Sequence, residues 1–258
     1  MLTDVEYFSF SEKVKLKTGI NLSYYRKEQM KKQLSSLYNK HGYESYEEYF
    51  YFLIRDAAFF NEFVGRITFN ITEFYRNPDG WEHLQKTIIP RLMKENVSLK
   101  CWSAGCSTGE EPYTLAMVLK EMKAHHHIIL ASDLSESSLI KARQGRYQES
   151  TLKNLPHSYK ERYFRYLGTF YEMSDEIKAN ARFVKSNLLH EPFEFNFDLI
   201  MCRNVMIYLT DEAKNYLLAK LAASLRTGGI LFIGSSETIE QPEAYGLFKV
   251  DKYFYKKV

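Results

Sequence analysis

Cysteine, proline and long apolar runs are what this sequence has least of. Its three cysteines in 258 residues are an odd count and make no disulfide framework. Six prolines and 12 glycines are too few for a collagen-like or low-complexity chain. No apolar stretch approaches the roughly 18 residues that a membrane span needs. The opening residues, MLTDVEYFSFSEK, are acidic and lack the apolar core of a signal peptide. The chain is therefore expected in a reducing cytoplasm, without membrane insertion. It has no P-loop, no Gly-x-Ser-x-Gly elbow and no Cys-x-x-Cys pair. His125-His126-His127 offers no metal site, because consecutive residues cannot all face one ion and ligand-spaced carboxylates are missing. All three cysteines read as buried thiols.

What remains is an ordinary soluble composition, 45% hydrophobic and 26% charged. The length suits one large domain or two modest ones. The net charge of +3 names no partner, but its distribution is uneven. Residues 1–12 carry three acids and no base, residues 13–40 eight bases against Glu28, and residues 41–75 six acids against two bases. Such a basic stretch is either a solvated helix face or a surface that attracts an anionic partner.

The chain changes character near residue 76. Before it, apolar residues recur at helical spacing: Met30, Leu34, Leu37, then Tyr46, Tyr49, Phe50 and Leu53, with Ala57 and Phe60 continuing the row. That predicts an all-α N-terminal domain over 1–75. After it, strands at 99–104, 127–133, 197–202 and 230–234 alternate with helices at 110–123, 135–144 and 211–225. Gly228-Gly229 reads as the turn into the last of these strands. Alternation of this kind predicts an α/β fold with a mostly parallel, doubly wound sheet over 76–258. Residues 146–186 break the rhythm and read as an inserted piece with a few antiparallel strands. The last strands, near 248–250 and 253–255, read as a C-terminal antiparallel hairpin.

The most informative local pattern is the strand, small-residue loop and helix over 99–123. Ligands of α/β sheets sit beyond the carboxyl ends of strands, where small residues let the backbone approach them. The spacing Gly105-x-x-x-Gly109 is not the Gly-x-Gly-x-x-Gly of dinucleotide sites. Glu110 and Glu111 open the helix and would repel a pyrophosphate, but would attract the amino group of S-adenosylmethionine. The alternative is a tight turn with two helix-dipole carboxylates. Asp133 ends the next strand, where an acid can bond ribose hydroxyls or merely cap a helix. Asn70, Thr72 and Arg76 at the domain junction can line a cleft or form an interdomain contact. Asn204 and Tyr208 follow another strand end.

Together, NITEFYR (70–76), WSAGCSTGEEPYTLA (102–116), ASDLS (131–135), SNLL (186–189) and CRNVMIY (202–208) resemble the chemotaxis-receptor glutamate methyltransferases, the CheR family. The likeness keeps order and spacing over nearly the whole chain. It implies a class I methyltransferase sheet with a small inserted β-subdomain and a helical N-terminal domain. It implies S-adenosylmethionine as methyl donor, with S-adenosylhomocysteine as product. The implied substrates are glutamates in the cytoplasmic helical domain of chemotaxis receptors. By the same likeness, Asn70, Thr72, Arg76, Glu111, Asp133, Asn187, Leu188, Arg203 and Asn204 form the cofactor pocket, and Arg76 and Tyr208 flank the transferred methyl. The protein is expected to act as a monomer, with no nucleic-acid partner.

Two features depart from that family. Residues 26–40 are rich in Lys, Gln, Ser and Asn rather than Arg, and the insert has one glycine, Gly168, where members that tether a receptor tail have more. A tethered tail is therefore not expected. An NAD-dependent oxidoreductase is disfavoured by the glycine spacing and the two acids. A non-catalytic S-adenosylmethionine sensor is disfavoured by the intact Arg76 and Tyr208, and a nucleic-acid methyltransferase by the missing Asn-Pro-Pro-Tyr motif.

Overall fold

The computed structural model describes residues 3–43, 45–68, 72–124 and 126–258. The chain starts with helices α1 (Asp4–Thr18), α2 (Lys27–His41), α3 (Tyr46–Leu53) and α4 (Ala57–Ile67). Thr3 and Glu6 close a capping box at the start of α1, satisfying backbone donors that helix ends leave open. Met30, Leu34 and Leu37 are buried, as their spacing predicts. The second apolar row is not one helix. It breaks at Asp56, whose carboxylate caps α4 by accepting the N–H groups of Ala58 and Phe59 at 2.8 and 3.1 Å. The new helix turns a different face inward, so Phe63, Val64 and Ile67 are buried while Ala57 is exposed.

Helix α5 (Pro78–His83) runs through a π-helical turn into α6 (Ile89–Glu95). Then follow β1 (Ser98–Ala104), α7 (Glu110–Glu121), β2 (His126–Asp133) and α8 (Glu136–Gln144). Ser135 caps α8, its hydroxyl accepting the N–H of Ser138 at 3.3 Å. The next stretch holds β3 (Arg146–Tyr147), α9 (His157–Tyr163), β4 (Phe164–Tyr166), β5 (Tyr171–Met173), α10 (Asp175–Lys178) and β6 (Ala181–Lys185). The chain closes with β7 (Phe197–Cys202), α11 (Asp211–Ser224), β8 (Leu225–Ile233), β9 (Leu247–Asp251) and β10 (Phe254–Lys257).

The large sheet has the order β6-β2-β1-β7-β8-β10-β9. Strands β6 to β8 are parallel, and β10 pairs antiparallel with both β8 and β9. A separate small antiparallel sheet has the order β3-β5-β4. Antiparallel pairing in the inserted stretch is therefore confined to 146–173. Residues 181–185 are instead the parallel edge of the large sheet, paired with β2 through Ile129–Asp133. Strand β8 also starts earlier than its sequence suggests. Gly228-Gly229 lies inside it, where the register with β7 shifts between Phe197 and Leu199. Gly228 has φ +83°, and a side chain on Gly229 would lie 2.7 Å from the carbonyl oxygen of Phe197, so the bulge needs this pair.

Chain order reverses between β1 and β7, the two central neighbours. Their carboxyl ends, at Ala104 and Cys202, open the crevice in which such sheets hold ligands. The strands around this point are buried on both faces, and β7 is buried at every residue. Cys101, Cys106 and Cys202 are buried free thiols.

Candidate active site

One cleft of about 1010 Å³, counted to its open mouth, lies over the reversal point. Nine of the ten residues singled out from sequence line it: Thr72, Arg76, Glu111, Asp133, Asn187, Leu188, Arg203, Asn204 and Tyr208. The tenth, Asn70, lies outside the described residues.

The loop after β1 forms the floor. Gly105 has φ +82°, and a Cβ there would stand 2.6 Å from Val205 Cγ2, so only glycine brings the β1 and β7 loops this close. Asp133 supports the loop from β2. Its carboxylate accepts the N–H of Ser107 and that of Ser135, each at 2.8 Å. Burial pushes the Asp133 carboxyl up, and these backbone bonds oppose the rise. With a further backbone N–H, that of Leu134, also turned to it, the carboxylate keeps only part of its roughly four acceptor positions for a ligand. The helix-capping and ligand-binding readings of Asp133 are thus compatible.

Glu111 accepts from Ser103 Oγ at 2.7 Å and faces Arg203 at 3.4 Å. Burial raises its pKa, and the Arg203 charge opposes this most. Glu110 is outside the cleft. It is 2% exposed, takes bonds from Thr108 Oγ1 at 2.9 and 2.7 Å, and burial raises its pKa to about 7. Of the two acids at the start of the helix, it is Glu111 that faces the cleft.

Arg203 ties two walls together. Its guanidinium donates to the Arg76 carbonyl at 2.6 Å and to Asn77 Oδ1 at 3.3 Å, and lies 4.5 Å from the Phe232 ring centre. Arg76 sits between two residues in the left-handed region, Tyr75 at φ +55° and Asn77 at φ +57°. Ser107 (φ +48°) and Asn204 (φ +59°) also border the cleft. Such backbone costs about 1–3 kcal/mol per residue and collects at functional sites. Around Tyr75 it is held by stacking on Trp81 at 5.8 Å and by an N–H bond to Thr114 Oγ1 at 3.3 Å. Burial raises the pKa of the Tyr208 phenol, which Arg76 opposes and Glu237 reinforces.

Two contributors escape a reading of the sequence. Tyr25, from the segment between α1 and α2, lines the cleft, and burial followed by the charge of Asp133 raises its pKa to about 12. Its neighbours pair with the chain around Tyr208. The Arg26 N–H donates to the Tyr208 carbonyl at 3.0 Å, and the Thr210 N–H donates to the Tyr24 carbonyl at 2.9 Å. Nothing in the local sequence marks that contact. The other is Glu237, close behind the end of β8, whose carboxylate binds the turn that follows β7. An acid just past a strand's carboxyl end is the available signal, as at Asp133.

The site suits S-adenosylmethionine. Ser107 Oγ is buried at the cleft wall and has no hydrogen-bond partner among the described residues. It stands with the carboxylates of Glu111 and Asp133 and the amide of Asn187, a donor and acceptor set fitting a nucleoside and a cationic amino group.

Comparison with known proteins agrees. Residues 6–68 match the domain described as CheR methyltransferase, all-alpha domain, and residues 70–254 match CheR methyltransferase, SAM binding domain. A chemotaxis protein methyltransferase of Listeria monocytogenes is 40% identical over 261 residues, spanning all of both chains. One from Borreliella burgdorferi is 39% identical over 236 residues, covering 86% of this chain and 83% of its own. The cleft, its loops and these matches together show that the chain belongs to the CheR methyltransferase family and carries its S-adenosylmethionine-binding domain.

Proposed function

We propose that this protein methylates glutamate side chains on the cytoplasmic helical domain of chemotaxis receptors. The products are glutamate 5-O-methyl esters and S-adenosylhomocysteine, and the role is sensory adaptation. The observation that carries the reading is the gathering of Arg76 and Tyr208 in one cleft with Glu111, Asp133, Asn187 and Asn204.

S-adenosylmethionine, when bound, supplies an electrophilic methyl group on a sulfonium. Asp133, Asn187, Leu188 and Glu111 are the residues that hold it, with Thr72, Arg203 and Asn204 completing the pocket. A glutamate carboxylate is ionised at neutral pH, its ordinary pKa being about 4.3, so no general base is required. A lone pair of one carboxylate oxygen would form the C–O bond as the methyl's bond to sulfur breaks and leaves its electron pair on the neutral thioether of S-adenosylhomocysteine, and no proton moves. The chain's task is to orient and to exclude water. Arg76 anchors the carboxylate with its planar fork. Tyr208, a phenol and so protonated at neutral pH, donates a hydrogen bond that orients it. Bases on α2 assist encounter with an acidic receptor helix. Lys27 and Lys31 already bond Asp4 at 2.6 and 2.9 Å, so their net field is smaller than the sequence count suggests, whereas Lys32 is exposed.

The test is incubation with methyl-labelled S-adenosylmethionine and receptor-bearing membranes. Label on the receptor should leave as methanol in mild base, as an ester does. Base-stable label, or label on nucleic acid, would remove this function.

A further inference from the structure

Glu237 does not line the cleft, yet it is 7% exposed and its carboxylate is wrapped in backbone. Oε1 accepts the N–H groups of Val205 at 3.0 Å and Met206 at 2.8 Å. Oε2 accepts those of Asn204 at 3.0 Å and Gly234 at 2.6 Å. The donors come from two neighbouring strand ends, because Asn204 to Met206 follow β7 and Gly234 follows β8. Among the described residues no lysine or arginine forms an ion pair with Glu237. Three successive N–H groups converging on one point make a nest for an anion, here with Asn204 in the left-handed region. In this protein the anion is the chain's own side chain.

We propose that Glu237 is a positioning residue, whose carboxylate fixes the 203–206 turn and so sets where Asn204 and Tyr208 stand in the cleft. The Tyr208 part rests on the proposed function. The chemistry leaves little choice of side chain. Only a carboxylate offers about four acceptor positions; a hydroxyl offers two and an apolar residue none. Met206, whose N–H Glu237 holds, opens the short helical turn Met206–Tyr208. Beyond that turn, the Tyr208 carbonyl is held by Arg26. Tyr208 is thus fixed at both ends, once by Glu237 and once by the helical domain. Glu237 also favours the protonated phenol, in the sense opposite to Arg76.

Glu237→Gln keeps the shape but turns an amide N–H₂ toward two backbone donors, breaking half of the set. The experiment is a double-mutant cycle with Tyr208→Phe, reading kcat on receptor per S-adenosylhomocysteine-binding site. E237Q should lower kcat at least about tenfold in the parent and less than about threefold in Y208F, since its effect passes through the phenol. An equal factor in both backgrounds overturns the proposal, because a general loss of folding cannot distinguish them. Should receptor prove not to be a substrate of the parent, the proposed function fails. S-adenosylhomocysteine affinity then decides this proposal: a loss of about fivefold or more in E237Q, through Asn204, sustains it, and parental affinity overturns it. If E237Q yields no binding-competent protein, Glu237→Asp, which keeps the charge on a shorter arm, takes its place in both measurements, and the same thresholds sustain or overturn the proposal.

Discussion

Replacing Arg203 by methionine measures how the walls of the cleft are held together. The Arg203 side chain is 3% exposed, 3.4 Å from Glu111, and bonded to Arg76 and Asn77 at 2.6 and 3.3 Å. Removing one partner of a buried ion pair costs about 3–5 kcal/mol, because the other charge is left uncompensated. Methionine restores apolar contact over Phe232, so little further loss is expected from packing. For a chain of this size, that corresponds to a drop in Tm of about 6–20 °C. In R203M combined with Glu111→Gln the stranded carboxylate is gone, and stability should recover by at least about 1 kcal/mol relative to R203M alone. The pH dependence has a definite sign. Glu111 already titrates above its ordinary range, and losing Arg203 raises it further. A carboxyl raised in the folded state opposes folding above its folded pKa and ceases to do so as pH falls below the unfolded value. The deficit of R203M should therefore shrink as pH falls from neutrality toward about 4.3. Urea unfolding followed by tryptophan fluorescence reads this directly, because Trp81 and Trp102 are both buried. An R203M protein within about 1 kcal/mol of the parent, or a double variant no more stable than R203M, would refute the reasoning.

Other substitutions probe the remaining parts. Glu110→Gln removes a buried carboxyl titrating at about 7, so stability should rise by about 2–3 kcal/mol at pH 8 and converge with the parent near pH 4.5, as urea melts at both pH values will show. Asp133→Ala should weaken S-adenosylhomocysteine binding about tenfold or more, since charged hydrogen bonds contribute about 1.5–3 kcal/mol each; unchanged calorimetric affinity would take Asp133 out of the site. Arg76→Lys should lower turnover at least about tenfold with little change in Tm, a point charge being unable to replace the planar fork. Lys27→Glu with Lys31→Glu should slow receptor methylation at low salt and leave S-adenosylhomocysteine affinity alone; a parental rate at every salt concentration would place recognition elsewhere.

The sequence discloses those features in which a residue's local neighbours determine its state. Strands β2 and β7 carry short apolar runs, Ile129-Leu130-Ala131 and Leu199-Ile200-Met201-Cys202, where both faces are covered, and the loop after β1 carries its glycines where the backbone turns. The edge strand β6 reads as part of the insert because an edge is covered less fully, and its residues are intermediate or exposed throughout. The break between α3 and α4 is hidden because apolar residues keep helical spacing across Asp56 while the buried face rotates. Gly228-Gly229 looks like a turn because a bulge and a turn ask the same of glycine. Of the site, strand-end residues are legible: Asp133 and Asn204, singled out for that position, both line the cleft. Tyr25 is not legible, because its segment acts on chain almost 200 residues away, and Glu237, although it too follows a strand end, holds chain about 30 residues before it across a contact that only the fold creates.

The pairing of residues 24–26 with residues 208–210 bears on how freely this architecture can be rebuilt. A catalytic domain that ends in its own closed sheet can exchange its neighbours at will. Here the turn carrying Tyr208 borrows backbone partners from the segment ahead of α2. A fragment starting near residue 70 would still have its sheet and floor but would expose the Tyr208 carbonyl and the Thr210 amide to water. A chimera with a foreign helical domain would need a strand of its own at that place. The helical domain is thus as much a splint for the turn carrying Tyr208 as an appendage to it.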